Sequence, residues 1–247
     1  KHPLLLEAVL RFQANARGEM LPSDGPVKVA NQGDQVIMQD MAANALETDM
    51  NHYLTSGAPE YYPDTDRMFL MLGFGGTQFK KVYFCPLRNR PVSETVDADD
   101  LIVNNDATDL ANAKRITHRV NMRPSVVKRL QIMGVYRDID LGEPPKVTND
   151  LQQKKDKESG ISASFDDRYE IYEIHATLDL PGYEDVDDDG NATGIGLPYV
   201  VTILKGSDDV LAIRRNWRED DPLKQKRQHF VHDVDIPGVG AYGFGLF

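Results

Sequence analysis

The sequence predicts an α+β fold, with amino-terminal helices followed by a mostly antiparallel β-sheet. Three observations predict it. Apolar residues recur every three or four positions through the first third of the chain, which is typical of helices. Aromatic and β-branched runs follow in the middle, and alternating strands with short turns fill the last third. Of the 247 residues, 40% are hydrophobic, which is enough to form a buried core in one large or two small domains.

The first segment, residues 1–77, is predicted to be helical. The first helix has one apolar face and ends at "LPSDGP". A second, longer helix starts near Asp34 and ends before Gly57 and Pro59. A third helix follows "YYPDTD", where Asp64 or Thr65 is expected to cap it, and "GFGGT" ends it. The apolar face of the first helix consists of Leu5, Val9, Phe12 and Ala16.

The second segment, residues 78–141, is predicted to mix strands with one helix. The run "QFKKVYFCPL" is expected to form a strand that ends at Pro86. Further strands are expected at 101–103 and 115–122. The run "RPSVVKRLQIMG" predicts a short helix, with Ser125 as its cap or Pro124 in its first turn, which ends at Gly134.

The last two segments are a polar loop or linker, residues 142–165, and an antiparallel β segment, residues 166–247. In "RYEIYEIHATLDL" two sets of side chains alternate, which predicts a strand with one face toward water. A hairpin with the turn "GSDD" and a strand in "QHFVHDVDI" follow. The predicted core set is Tyr172, Ile174, Ala176, Leu178 and Leu180, and the predicted water-facing set is Glu173, His175, Thr177 and Asp179.

Composition excludes some classes of protein. The formal net charge of −11 disfavours an open surface that binds nucleic acid, because neutralising phosphates requires clustered Lys and Arg. The single cysteine, Cys85, cannot form an internal disulfide, which favours a reducing compartment. No apolar run reaches the roughly 20 residues of a membrane helix, so no membrane partner is predicted. Because the chain opens with Lys1 and closes on the apolar "PGVGAYGFGLF", we expect it to be a piece of a longer polypeptide.

An acidic loop, "GYEDVDDDGNATGIG", is the strongest candidate for a metal site. Its Asp185, Asp187 and Asp189 have the spacing of the start of a calcium loop. The twelfth position, however, is Gly196 where a glutamate is needed, and strands rather than helices flank the loop. The pattern therefore favours a solvated turn. The alternative is a small metal-dependent α+β enzyme that uses these three aspartates.

No other pattern predicts an active site, and no catalytic, cofactor-binding or metal-binding residue is assigned. The glycines of "GFGGT" are expected to end a helix rather than cradle a phosphate. His229 and His232 are three apart on a strand, so their rings are expected to diverge. His175 has no acidic partner beside it that would make it a general base. Cys85 is interpreted as a core residue.

The run "LAIRRNWRED" is the best candidate for contact with another protein. Arginine and tryptophan are enriched in the residues that contribute most to interfaces. A buried tryptophan surrounded by solvated arginines explains the pattern equally well. The candidate residues are Arg214, Arg215, Trp217 and Arg218.

The order of several segments resembles that of portal proteins of tailed bacteriophages, nearest to the large portals of short-tailed phages and related prophages. The matching pieces cover roughly residues 35–247. They are "FKKVYFCPL", "VDADDLIVNNDATDL", "RITHRVNMRPSVVKRL" and "GLPYVVTILKGSDDVLAIRRNWREDDPLKQKRQHFVHDVDIPGVGAYGFGL".

The resemblance implies a structural subunit without enzymatic activity. Portals form a ring of about twelve copies at one capsid vertex, the channel through which double-stranded DNA is packaged and ejected. Capsid and scaffold proteins, the terminase and tail or adaptor proteins are the implied partners. The implied location is the virion, and the host cytoplasm during assembly. The chain resembles the amino-terminal wing part, with the stem helices expected after "YGFGLF". A different virion ring or adaptor protein is a further alternative.

Overall fold

The computed structural model describes residues 3–32, 37–104, 106–144, 158, 167–187, 189–207, 209–238 and 240–246, and it confirms the predicted α+β fold. The segment predicted as a loop, 142–165, lies largely outside the described residues. The helices are α1 (Leu4–Met20), α2 (Ile37–His52), α3 (Tyr61–Gly75) and α4 (Pro124–Ile132). The strands are β1 (Thr77–Cys85), β2 (Arg90–Val96), β3 (Leu101–Val103), β4 (Arg115–Met122), β5 (Tyr169–Leu178), β6 (Leu197–Leu204), β7 (Val210–Arg215) and β8 (Phe230–Val234).

The chain divides into two compact units that do not follow the predicted segments. The helical unit comprises Lys1–Ala98, Asn105–Asn112 and His229–Phe247, and the five-stranded unit comprises Asp99–Asn104 and Ala113–Gln228. The predicted segments, with boundaries after residues 77, 141 and 165, follow sequence order, whereas each of these units combines stretches that are distant in sequence. The reason is β8, which pairs with β1 rather than with the strands that precede it in sequence. Strand pairing depends on which edge is available in the folded chain, and sequence order does not determine that.

The helical unit contains a three-stranded antiparallel sheet in the order β2-β1-β8. Phe79 of β1 is fully buried, and Phe230 and Val92 from the neighbouring strands are almost as buried. The sequence did not predict β2, because its segment "RPVSETV" contains a proline and charged residues. Proline is compatible with a strand at the edge of a sheet, where its missing N–H breaks no ladder.

Helix α3 packs on this sheet and supplies a buried ion pair. The helix begins at Tyr61, so Asp64 lies within its first turn and is not the predicted cap. The Asp64 carboxylate instead accepts hydrogen bonds from Lys80 Nζ at 3.0 Å, from the Thr95 N–H at 3.0 Å and from Thr95 Oγ1 at 2.8 Å. Lys80 is 7% exposed, and its ammonium also lies 5.0 Å from the centre of the Tyr61 ring. The Asp64 carboxylate, which the sequence predicts to cap α3, thus binds Lys80 and Thr95 instead.

A glycine-rich segment near the end of the chain packs on the turn between α3 and β1 in the helical unit. Gly76 ends α3 with φ of 79°, as "GFGGT" predicts. The segment 243–246 then lies directly on this turn: the Gly243 N–H donates to Thr77 Oγ1 at 2.6 Å, and the Leu246 N–H donates to the Gly73 carbonyl at 3.0 Å. Side chains at these positions would separate the two backbones, which accounts for the glycines of "AYGFGLF".

The five-stranded unit is an antiparallel sheet in the order β3-β4-β5-β6-β7 with α4 packed on it. Its core includes Val127 and Leu130 from the helix and Ile171 and Leu211 from the sheet. Pro124 occupies the first turn of α4, whereas no side chain caps that helix. Of the two predicted starts for this helix, the structure therefore selects the proline.

The facing of β5 differs from the prediction. Tyr169 and Ile171 lie in the core, and strand alternation places Glu173 and His175 on the same face. His175 is 5% exposed, and its Nε2 lies 2.8 Å from the Glu173 carboxylate. His175 therefore does have an acidic partner, two residues away. Of the set predicted to face water, Thr177 and Asp179 are exposed, whereas His175 is buried and Glu173 is partly buried. A polar pair can be buried when each member satisfies the other, so polarity alone did not identify the outer face.

Candidate interaction surfaces

The four candidate side chains of the predicted arginine–tryptophan segment lie in three different environments. Arg214 donates to the Val135 carbonyl at 3.2 Å, and Arg218 lies 3.3 Å from the carboxylate of Asp220. The guanidinium of Arg215 lies 5.8 Å from the centre of the half-buried Trp217 ring. The Arg215–Trp217 pair is therefore the part of this segment that presents an aromatic ring and a cation together at the surface.

Trp217 belongs to a row of aromatic rings that anchors two loops on the five-stranded sheet. Its ring meets the ring of Tyr199 edge-on at 5.4 Å, and Tyr199 meets Tyr183 edge-on at 6.2 Å. The Tyr199 hydroxyl also donates to the Tyr183 carbonyl. Tyr199 is 2% exposed, so the edge of the Trp217 ring that contacts it is packed. The rest of the half-buried Trp217 ring is accessible. Trp217 is thus in part a packed tryptophan and in part a surface residue that a partner could contact.

The acidic loop forms a hydrogen-bonded turn, in which the carboxylates of Asp185 and Asp187 have protein partners. Asp185 pairs with Lys224 and accepts from Thr193 Oγ1 at 2.8 Å, and Lys224 lowers its pKa. Asp187 accepts from the N–H groups of Asp189 and Asn191 at 3.0 and 2.8 Å, and the Asn191 N–H is the main cause of its lowered pKa. The predicted turn was thus described correctly for Asp187. For Asp185 the solvated description needs correction, because its side chain is 14% exposed and ties the loop to the segment that contains Lys224.

The remaining candidates occupy separate environments. His229 Nδ1 lies 3.2 Å from the Val82 carbonyl, whereas the His232 ring stacks on Phe79 at 4.9 Å. Cys85 is 7% exposed in β1. Among the residues that the structure describes, no three His, Cys, Asp or Glu side chains are grouped so that they could hold a metal ion.

Two helices of the helical unit expose apolar faces, which the sequence analysis did not single out. On α1, Val9 is buried toward α3, whereas Leu6 and Leu10 on another face are 57% and 47% exposed. On α2, no residue is buried within the described part of the chain, and Met38 and Met41 are 77% and 67% exposed. The apolar residues of both helices do recur with the helical period in the sequence. That period cannot distinguish an apolar face that packs within the chain from one that packs on another molecule.

A half-buried aspartate in the helical unit gives this unit a pH-dependent stability. Asp233 lies opposite Gln78 on β1, and burial raises its pKa above the ordinary value of 3.8, although His232 and Lys80 oppose that shift. The folded state therefore holds the proton more tightly than the unfolded state. The associated stability is fully present below the unfolded pKa and is lost as the pH rises through the folded pKa.

We expect the substitution Asp233→Asn to raise the melting temperature at about pH 7, because the amide keeps the shape without the buried charge. The gain should shrink as the pH falls toward 3.8, the ordinary aspartate value, because the folded state takes up the proton before the unfolded state does. Thermal melts of both proteins across this range measure the difference. Asp220→Asn, at a side chain that is 75% exposed, is the control and should show no such trend. A gain that does not vary with pH would contradict the assignment.

In the part of the chain that the structure describes, no helix is long and apolar enough to cross a membrane. Comparison with known proteins adds no identification. The chain matches no protein-family model, and no curated protein is similar to it at a significant level.

Proposed function

We propose that the chain is the wing part of a phage portal subunit, a structural component of the ring at the capsid vertex. The observation that carries this proposal is the ordered series of segments that resembles large portals, from "FKKVYFCPL" through "RITHRVNMRPSVVKRL" to "GLPYVVTILKGSDDVLAIRRNW". In the structure these segments are β1, β4 with α4, and the β6–β7 hairpin, so the resemblance extends over both units.

The exposed helix faces support a role in assembly. A monomeric protein rarely exposes large continuous apolar patches, and those that occur usually mark contacts with other molecules. Helix α2 exposes Ile37 and Met38 to 80% and 77%. A helix of this length is marginally stable in water without packing, so a partner that covers it would contribute to the fold itself.

The proposed partners follow from this role. Copies of the chain form a ring of about twelve, which meets capsid and scaffold proteins, the terminase and tail or adaptor proteins. Double-stranded DNA passes through the channel. The net charge of −11 suits such a channel, because like charges avoid tight contacts with phosphates. The proposed location is the virion, after assembly in the host cytoplasm.

Electron microscopy of the gene product that contains these residues tests the proposal. We expect closed rings with a central channel in negative stain. A species that stays monomeric at every concentration would contradict it. Calorimetric titration with calcium, magnesium and manganese should show no tight binding. Stoichiometric micromolar binding that disappears in the Asp187→Asn variant would instead favour the metal-dependent enzyme.

A further inference from the structure

The outer face of α1 is a continuous apolar stripe. The inner face is fixed on α3: Val9 is 2% exposed, and Gln13 Nε2 donates to the Asp66 carboxylate at 3.1 Å. The spacing of four residues places Leu6, Leu10 and Ala14 in one row along the helix, beside the side that holds Val9. An open groove runs along this row, lined by Pro3, Leu6, Glu7, Leu10, Arg11 and Ala14. Charged side chains border the stripe: Arg11 and Arg17 remain 76% and 66% exposed beside their ion pairs, and Glu7, the partner of Arg11, is 48% exposed.

Helix α2 offers a second apolar face of similar length. One side of the helix is held by the preceding extended segment, since the Val27 N–H donates to Asn51 and the Val29 N–H donates to Glu47, each at 2.9 Å. The opposite side carries Met38 and Met41, which are 77% and 67% exposed, together with the exposed carboxylate of Asp49. Ile37, Leu46 and Met50 are also exposed, on the flanks of this side.

The two faces complement each other in chemistry. Helix α1 presents leucines, whereas α2 presents methionines, whose flexible side chains adapt to the shape of a partner surface. The charges also complement each other: α1 has arginines beside its stripe, whereas α2 contains Asp40, Glu47 and Asp49 and no Lys or Arg. In the helical unit α1 packs chiefly on α3, and α2 is followed by the π-helical turn Tyr53–Gly57. Among the described residues, both the Leu6–Leu10 row and the Met38–Met41 side stay exposed, so a second copy can reach them.

We infer that α1 of one copy packs on α2 of the next copy in a head-to-tail contact. This inference rests on the proposed ring and names the surface that links neighbouring subunits. Two different faces on one chain make a heterologous contact, which closes into a ring or continues as a filament, whereas a self-complementary face would stop at a dimer.

The size of the contact sets its strength. Helices of 17 and 16 residues are about 25 Å long and 10 Å wide, so each contributes on the order of 250 Å². The total of about 500 Å² is below the roughly 1,000 Å² of a stable interface. Isolated copies therefore associate weakly, and the contact becomes persistent where other parts of an assembly hold the copies together.

Disulfide cross-linking between two tagged versions of the chain tests the pairing. Cys85 is the only native cysteine and is first replaced by Ser. One version then carries Leu10→Cys and the other carries Met41→Cys. We expect mixed cross-linked pairs in several-fold excess over like pairs when the versions are combined. Ile132→Cys on α4, at a residue that is 77% exposed, replaces Met41→Cys as the matched control and should give background levels.

Two charge variants provide an independent measurement. Leu10→Asp and Met41→Asp should each abolish self-association in sedimentation velocity, and both sites are exposed, so circular dichroism should show intact folds. An equal mixture of the two variants retains one native face of each kind. It should therefore recover a dimer but no larger species. Ile132→Asp should associate like the native chain.

The outcomes separate this inference from the proposed function. Mixed cross-links no more frequent than the Ile132→Cys background, or an excess of Leu10–Leu10 pairs, would overturn the α1–α2 contact. If the gene product nevertheless forms closed rings, the portal proposal survives and another surface joins the subunits. Mixed cross-links in a protein that forms only open filaments would support the contact and contradict the portal.

Discussion

Replacing Gly76 with alanine is expected to lower the melting temperature of the helical unit by about 10 °C. The residue has φ of 79°, and a Cβ atom placed there would lie 2.1 Å from the carbonyl carbon of Phe244. A left-handed conformation costs a residue with a side chain about 1–2 kcal/mol. The contact with the Phe244 backbone cannot be relieved by rotating a side chain, so the segment 243–246 must move and its hydrogen bonds to Gly73 and Thr77 are lost.

The neighbouring glycine provides the matched control for Gly76→Ala. Gly75 lies at the end of α3, and a Cβ atom there would meet nothing within 4 Å. Gly75→Ala should leave the melting temperature unchanged or raise it, because alanine favours helix by about 1 kcal/mol. Hydrogen exchange supplies a local measurement: the amides of Gly243 and Leu246 should exchange faster in Gly76→Ala alone. Equal melting temperatures for the two variants would show that the carboxyl-terminal segment does not pack on this turn.

Replacing Asp64 with alanine is expected to destabilise the helical unit by about 3 kcal/mol, the lower end of the range for breaking a buried ion pair. The Lys80 side chain is 9% exposed and would retain its charge without the carboxylate that compensates it. The Thr95 N–H would lose its acceptor as well. The lower end applies because the Asp64 side chain keeps 26% exposure, through which water can partly solvate the ammonium. Urea denaturation measures the change in free energy.

A second substitution distinguishes the loss of a partner from a general defect at this position. Lys80→Met in the Asp64→Ala background removes the buried charge and should recover much of the stability, since an apolar side chain of similar length suits the site. The exposed pair of Glu7 and Arg11 is the control, and Glu7→Ala should change the free energy by less than about 1 kcal/mol. If Asp64→Ala behaves like Glu7→Ala, the pair is not buried as described.

Turn chemistry and hydrophobic periodicity predict most of the helices and strands correctly. The strand predicted at 115–122 is β4, and the turn predicted at "GSDD" joins β6 to β7. Local signals succeed here because glycine in a turn and alternation in a strand act over a few residues. The same signals missed β2, whose Pro91 and Glu94 suit an edge strand that no local rule identifies.

The candidate surfaces were only partly accessible to sequence reasoning. The sequence named Trp217 and its arginines, but it could not assign Arg214 to the Val135 carbonyl or place Arg215 against the tryptophan ring. It treated Asp185 as one of three equivalent carboxylates, whereas only the fold brings Lys224 to it from 39 positions away. The exposed faces of α1 and α2 were read as ordinary amphipathic periodicity, because a sequence does not show which face is left uncovered.

The sequence by itself determined the α+β class, the helix ends at glycine and proline, and the antiparallel character of the last third. These features depend on the backbone preferences of individual residues and on the alternation of apolar and polar side chains, both of which act over a few neighbouring residues. Only the tertiary structure decided that β8 joins β1, that Glu173 and His175 form a buried pair, and that Asp64 meets Lys80 rather than capping α3. Each of these depends on a partner distant in sequence or on which face the core covers. A buried polar group is stable wherever its partner lies, so its own identity does not reveal its position.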